Sequence, residues 1–273
     1  MNPMIRKELR QRMRDRRAWL FPSLYLLVLG GAVALGYYWV AERPLSWFQA
    51  REPQGADIGV AVYYTVAFVQ MALLLLLAPV FSAGALTIEK EQRTLPALLT
   101  SLLTPAQIWW GKFVASVLFL VLLQTSALPV LSLAFALGGV EPKDLLITEG
   151  MTLFILAVVC AVGLYRSSYF RRSVHATAVT YGVVLALMIL TVVVYVIVMW
   201  QWGLRVSGQY PAPEPPNYIG IPLSLNPFFA LASPFFPSTE TPYPLWLISV
   251  LLFAGLGCLS TGLALRNLER AGE

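Results

Sequence analysis

Few residues of this 273-residue chain are placed to do covalent chemistry. Its one histidine, His175, has no acid or cysteine at the spacing that a triad or a metal site requires. Cys160 and Cys258 are the only cysteines. Both fall in apolar runs and read as small buried side chains, not as a disulfide or metal framework. Gly111-Lys112 is like the end of a phosphate-binding loop, but Phe113 and the lack of an upstream glycine break that pattern. No nucleophile elbow is present, and no metal site is expected. The charged run Glu89-Lys90-Glu91-Gln92-Arg93 is of another kind. Glu89 and Arg93 stand four apart in the acid-first order that supports a helix. Leu95, Leu98 and Leu99 follow at helical spacing. The segment reads as a short surface helix with an apolar end. Such a helix can dock into a groove on another protein, or it is a solvated loop helix without a partner; spacing alone leaves both open.

The elements that carry this run are set by solvent. The chain is 58% hydrophobic and 12% charged, with a mean hydropathy of +0.70. A soluble domain carries roughly 25% charged residues. A bilayer core about 30 Å thick needs roughly 20 apolar residues in a helix. Stretches at about 19–40, 59–81, 109–137, 149–168, 174–200 and 245–265 meet that length. The reading is a single all-α integral membrane domain, 1–273, with six transmembrane helices. The valine-rich run in the fifth span would suit a strand in water, but an unpaired strand in lipid leaves its backbone unsatisfied. Lys and Arg divide fifteen to four between the two sides, and the division alternates with six spans. The expectation is that both termini and the 82–108 connection are cytoplasmic. The net charge of +5 is spread beside the spans, which argues against a nucleic-acid partner.

Residues 3–17 read as an amphipathic helix. Asn2 caps it, Pro3 opens it, and Ile5, Leu9 and Met13 form one apolar stripe. Arg6, Lys7, Arg10 and Arg14 would face lipid phosphates at the membrane interface. The connection at 201–244 holds ten prolines and many aromatics, so short helical pieces on the outer leaflet are expected there. Thr148 is a candidate N-cap for the fourth span. No Asp or Glu is expected well inside any span, which lowers the case for an ion-coupled carrier. Gln70 and Gln124 read as interhelical hydrogen-bonding groups. Ala254, Cys258 and Gly262 share a face of the sixth span and are expected to permit tight packing within the bundle.

Glu89-Lys90-Glu91-Gln92-Arg93-Thr94-Leu95, then Leu98-Leu99-Thr100, Thr104-Pro105, Gln107-Ile108 and Gly111-Lys112 resemble the permeases of type-2 ATP-binding-cassette exporters. Arg6-Lys7-Glu8-Leu9 is similar to that family's N-terminal elbow helix, and Leu225-Asn226-Pro227-Phe228 to its outer segment before the last span. The resemblance covers essentially the whole chain. Family members commonly have Gly at the Arg93 position, and Pro96 would shorten or kink the coupling helix. The resemblance implies a transmembrane subunit working as a dimer with an identical or related permease. It implies a separate ATPase, in two copies, docked on the 89–100 helix through Glu89, Glu91 and Arg93 with Leu95 as apolar anchor. ATP and Mg would then bind the partner, with no cofactor and no ATP hydrolysis on this chain. A bacterial-type plasma membrane is implied as its place. Substrate-binding residues are not indicated. The alternatives are a stand-alone secondary carrier or channel and, with less support, a membrane-embedded enzyme.

Overall fold

The computed structural model describes residues 17–41, 55–95, 104–207, 217–235 and 244–272. Within them the chain is helical with no strand. In chain order the helices are α1 (Arg17–Ala41), α2 (Gly55–Ala83), α3 (Thr87–Glu91), α4 (Pro105–Ser126), α5 (Leu128–Leu137), α6 (Pro142–Tyr169), α7 (Ser173–Val206), α8 (Pro227–Ala232) and α9 (Leu245–Gly272). Six spans are long and apolar enough to cross a membrane: α1, α2, α4 with α5, α6, α7 and α9. The expected elbow helix, with Arg6, Lys7, Arg10 and Arg14, lies outside the described residues except for Arg17.

The bundle is organised around α6, which packs against α9, α2, α7 and α4. Its stretch from Val158 to Leu164 is buried throughout. The main core joins Met71 and Leu74 of α2, Leu120 and Leu123 of α4, and Ile155 and Leu156 of α6. The third span breaks between α4 and α5 because Pro129 has no N–H to donate and its ring would strike the carbonyl a turn earlier. Just before the break the Ser126 and Thr125 hydroxyls donate to the Leu122 carbonyl, at 3.0 and 3.1 Å. Between α7 and α9 lie a 3₁₀ segment (Asn217–Leu225), α8 and a 3₁₀ turn (Ser233–Phe235). Asn226 caps α8 by accepting from the Phe228 and Phe229 amides, and its own amide donates to Met188 and Thr191 of α7. Short helical pieces therefore occupy this connection, and the Asn-Pro-Phe sequence is the device that fastens them to α7.

Four expectations are corrected. The helix of the fourth span begins at Pro142, ahead of the expected start at 149. The Asp144 carboxylate accepts from the Glu141 amide at 3.1 Å, and Pro142 occupies the first turn. Charge at positions 141–144 hides this start from a hydropathy reading. Thr148 is consequently inside the helix, not its cap, and accepts from the Tyr63 hydroxyl at 2.6 Å. Glu149 lies roughly 10 Å along α6, so one acid does stand well inside a span. Finally, among the described residues the small-residue face of α9 is not packed at Cys258, which is exposed, or at Gly262, whose Cβ position nothing approaches, while Ala254 is partly covered. The packing of α6 uses another glycine. A Cβ on Gly163 would stand 2.1 Å from Ser82 Oγ and 2.9 Å from Ser82 Cβ. Gly163→Ala is expected to destabilise the purified chain by about 1–3 kcal/mol through overpacking. Gly182→Ala, with nothing near its Cβ, should leave the thermal unfolding midpoint unchanged or slightly raised.

Candidate coupling site

At the basic end of the bundle, α2 stops at Ala83 and the chain turns through Gly84-Ala85-Leu86 into α3. The first amides of a helix need acceptors from elsewhere. Leu86, at the N-cap, has no side chain to offer. The Ser167 hydroxyl of α6 takes that role, accepting from the Leu86 and Thr87 amides at 2.8 and 2.9 Å. In return Lys90 of α3 satisfies the end of α6. Its ammonium donates to the carbonyls of Ser167 and Phe170, each at 3.0 Å, and to that of Ser168. The two helices thus terminate each other.

The flanking acids extend the network. Glu91 Oε1 accepts from the Ser173 amide at 2.6 Å and from its hydroxyl at 2.9 Å, which caps α7. A carboxylate there also meets the positive end of the α7 dipole. Glu89 pairs with Lys112 of α4 at 3.1 Å, the two side chains being 13% and 2% exposed. The Thr94 hydroxyl donates to the other Glu89 oxygen at 2.6 Å. Leu95 is buried with Leu86, Ile108, Trp109, Leu164 and Leu268. Lys112 is delivered to Glu89 by a well-started α4. Thr104 accepts from the Gln107 amide at 3.3 Å, the Thr104 amide donates to the Gln107 side chain at 3.0 Å, and Pro105 fills the first helical position. The threonine-proline and glycine-lysine pieces of the motif are therefore a helix start and a buried cation.

The expected 89–100 helix is interrupted within the described residues. α3 ends at Glu91, with Arg93 at φ 57°, and Leu95 is again helical. The Thr94 amide bonds back to the Glu89 carbonyl at 2.9 Å and the Arg93 amide to that of Lys90 at 3.1 Å. These two bonds around a left-handed residue form a Schellman motif, whose left-handed position favours glycine. Residues 96–103, including Pro96, Leu98 and Leu99, lie outside the described residues. Arg93 is carried past the helix end, off the face it would need for an i,i+4 pair with Glu89. Glu89, Glu91 and Leu95 face the bundle or cap its helices, while Arg93 is exposed beside Gln92 and the half-exposed Ile88. Sequence reasoning missed Lys90, Ser167 and Ser173. Their types permit capping, but only the meeting of α3 with the α6–α7 junction shows it. Among the described residues no group of three or more His, Cys, Asp or Glu is arranged to hold a metal.

Residues 3–243 match the family described as ABC-2 family transporter protein. No curated protein matches the chain. Since Arg93 holds a backbone conformation that costs a side-chain-bearing residue about 1–2 kcal/mol, Arg93→Gly is expected to stabilise the protein by about 1 kcal/mol. Thermal unfolding of the full chain in detergent checks this; a lowered midpoint would contradict the assigned helix end.

Proposed function

Because the chain belongs to the ABC-2 transporter family, a family of membrane components, we propose that it is the permease subunit of an ATP-driven exporter. Two permease chains, identical or related, form the substrate pathway. A separate ATPase, in two copies, binds beneath them and carries the ATP and Mg. The chain itself hydrolyses no ATP. Export as the direction follows the resemblance of the 89–112 stretch. The fifteen-to-four division of Lys and Arg favours a bacterial-type plasma membrane topology with both termini inside. In that topology the 3–17 helix, with Arg6, Lys7, Arg10 and Arg14, lies along the inner leaflet.

One observation carries the coupling reading: α3 is bonded to three span helices while one of its faces stays open. Glu89 ties it to α4, Lys90 to α6 and Glu91 to α7. Just past its end, Leu95 is seated in the apolar cluster with Trp109 and Leu164. Ile88, Gln92 and Arg93 are exposed and form the face offered to the ATPase. Glu89, Glu91 and Leu95 then belong to transmission, and Arg93 to docking. A push on α3 reaches α4, α6 and α7 together.

The test is co-purification of the ATPase with the full chain. Ile88→Glu combined with Arg93→Glu should reduce recovered ATPase at least tenfold while the thermal midpoint of the permease stays within a few degrees. Unchanged ATPase recovery and turnover in that variant would remove α3 as the docking element. A stand-alone carrier would co-purify with no ATPase in the wild type.

A further inference from the structure

Away from the coupling site, the bundle holds one carboxylate that nothing described so far uses. Glu149 of α6 accepts from Gln70 Nε2 of α2 at 3.0 Å on one oxygen and 3.1 Å on the other. Gln124 Nε2 of α4 donates to the carboxylate at 2.5 Å and to the Glu149 carbonyl at 2.7 Å. Gln70 lies roughly 20 Å from either end of α2, so the group is at the depth where charge is most costly. Among the described residues no cation pairs with Glu149. The basic residues of α6 nearest in sequence are Lys143, which pairs with Glu141 at 2.7 Å, and Arg166 toward the opposite end. Tyr63 of α2 is also within electrostatic reach of Glu149, and its hydroxyl donates to the Thr148 hydroxyl at 2.6 Å and to the Asp144 carbonyl at 3.0 Å.

The second observation is a set of orphaned polar atoms around this charge. Gln70 and Gln124 are 1% and 5% exposed, and the Oε1 atom of each has no hydrogen-bond partner. Tyr25 of α1 is 3% exposed, its hydroxyl is likewise unpartnered, and it stands within electrostatic reach of Glu149. A buried polar atom without a partner is costly. Here three occur beside one uncompensated charge. Each is an oxygen, so together with the carboxylate they offer an oxygen set carrying a single negative charge. That charge matches a monovalent cation. Calcium takes 6–8 oxygens, usually with more carboxylates. Glu149 itself is only partly covered.

We propose that Glu149, Gln70, Gln124 and Tyr25 form a binding site for one exchangeable monovalent cation, of alkali or ammonium type, with the proton as its smallest occupant. Binding turns the two amides so that their oxygens face the cation, and it places one positive charge where α1, α2, α4 and α6 meet. The inference does not depend on the exporter reading, since it rests on charge and hydrogen bonding alone.

The experiment uses the full chain in lipid nanodiscs, wild type and Glu149→Gln. Thermal midpoints are read against NaCl, KCl, NH4Cl and methylammonium chloride, with N-methylglucamine chloride holding ionic strength constant, and separately against pH. The wild type should show a saturable rise of roughly 5–10 °C with one of these cations, or a comparable rise as pH falls. Glu149→Gln should show neither. Infrared difference spectra between the two proteins identify the occupant: a carboxylic-acid band that titrates means the proton, and a carboxylate band shifted by one salt means that cation. Tyr25→Phe should weaken the response several-fold without lowering the midpoint of the unliganded protein. If wild type and Glu149→Gln respond alike to every salt and to pH, the proposal fails. It also fails if the acid band persists unchanged in all conditions, since Glu149 is then a neutral strut.

Discussion

Three carbonyl groups at the end of α6 converge on the ammonium of Lys90. The last four carbonyls of any helix lack intrahelical partners, and a cation there also meets the negative end of the helix dipole. Lys90 is partly buried at this junction, and a buried backbone carbonyl needs a partner from the protein. One side chain of α3 therefore completes α6. One side chain of α6, Ser167, in turn completes the start of α3. Neither helix can move from this junction without exposing backbone groups of the other. Glu91 adds the start of α7 to the same junction, and the Glu89–Lys112 pair adds α4.

The consequence for function is mechanical. α6 runs unbroken from Pro142 to Tyr169, so the junction with α3 and the carboxylate of Glu149 are carried on one rod. Gly163 lets that rod lie against α2 at Ser82 and Ala83. In the exporter reading, closure of the ATPases displaces α3 and the rod follows. The charged residues of α3 are then chiefly internal fasteners, and the open face at Ile88, Gln92 and Arg93 makes the outward contact.

Much of the fold was legible because bilayer thickness fixes span length. That constraint located six helices and made α7 a helix despite its valines. Gln70 and Gln124 were read as interhelical groups, and they do bond across helices. Glu149 was not legible as an interior acid. Its depth depends on where α6 starts, and that start lies in a charged stretch that hydropathy discounts. The acid-first spacing of Glu89 and Arg93 suggested a pair within one helix. The left-handed backbone at Arg93 ends the helix first, and Glu89 finds Lys112 instead. Spacing within a segment shows which residues share a face. It does not show which distant helix end that face will cap, and the coupling site is built from such ends.

The most direct test of this account is a distance between α3 and the end of α6. Spin labels at Gln92→Cys and Arg171→Cys, with the exposed Cys258 replaced, report that distance by pulsed electron resonance. In the permease without its ATPase, the account predicts one narrow distribution that broadens when Lys90 is replaced by alanine. A broad wild-type distribution would contradict it, as would a Lys90→Ala distribution identical to the wild type.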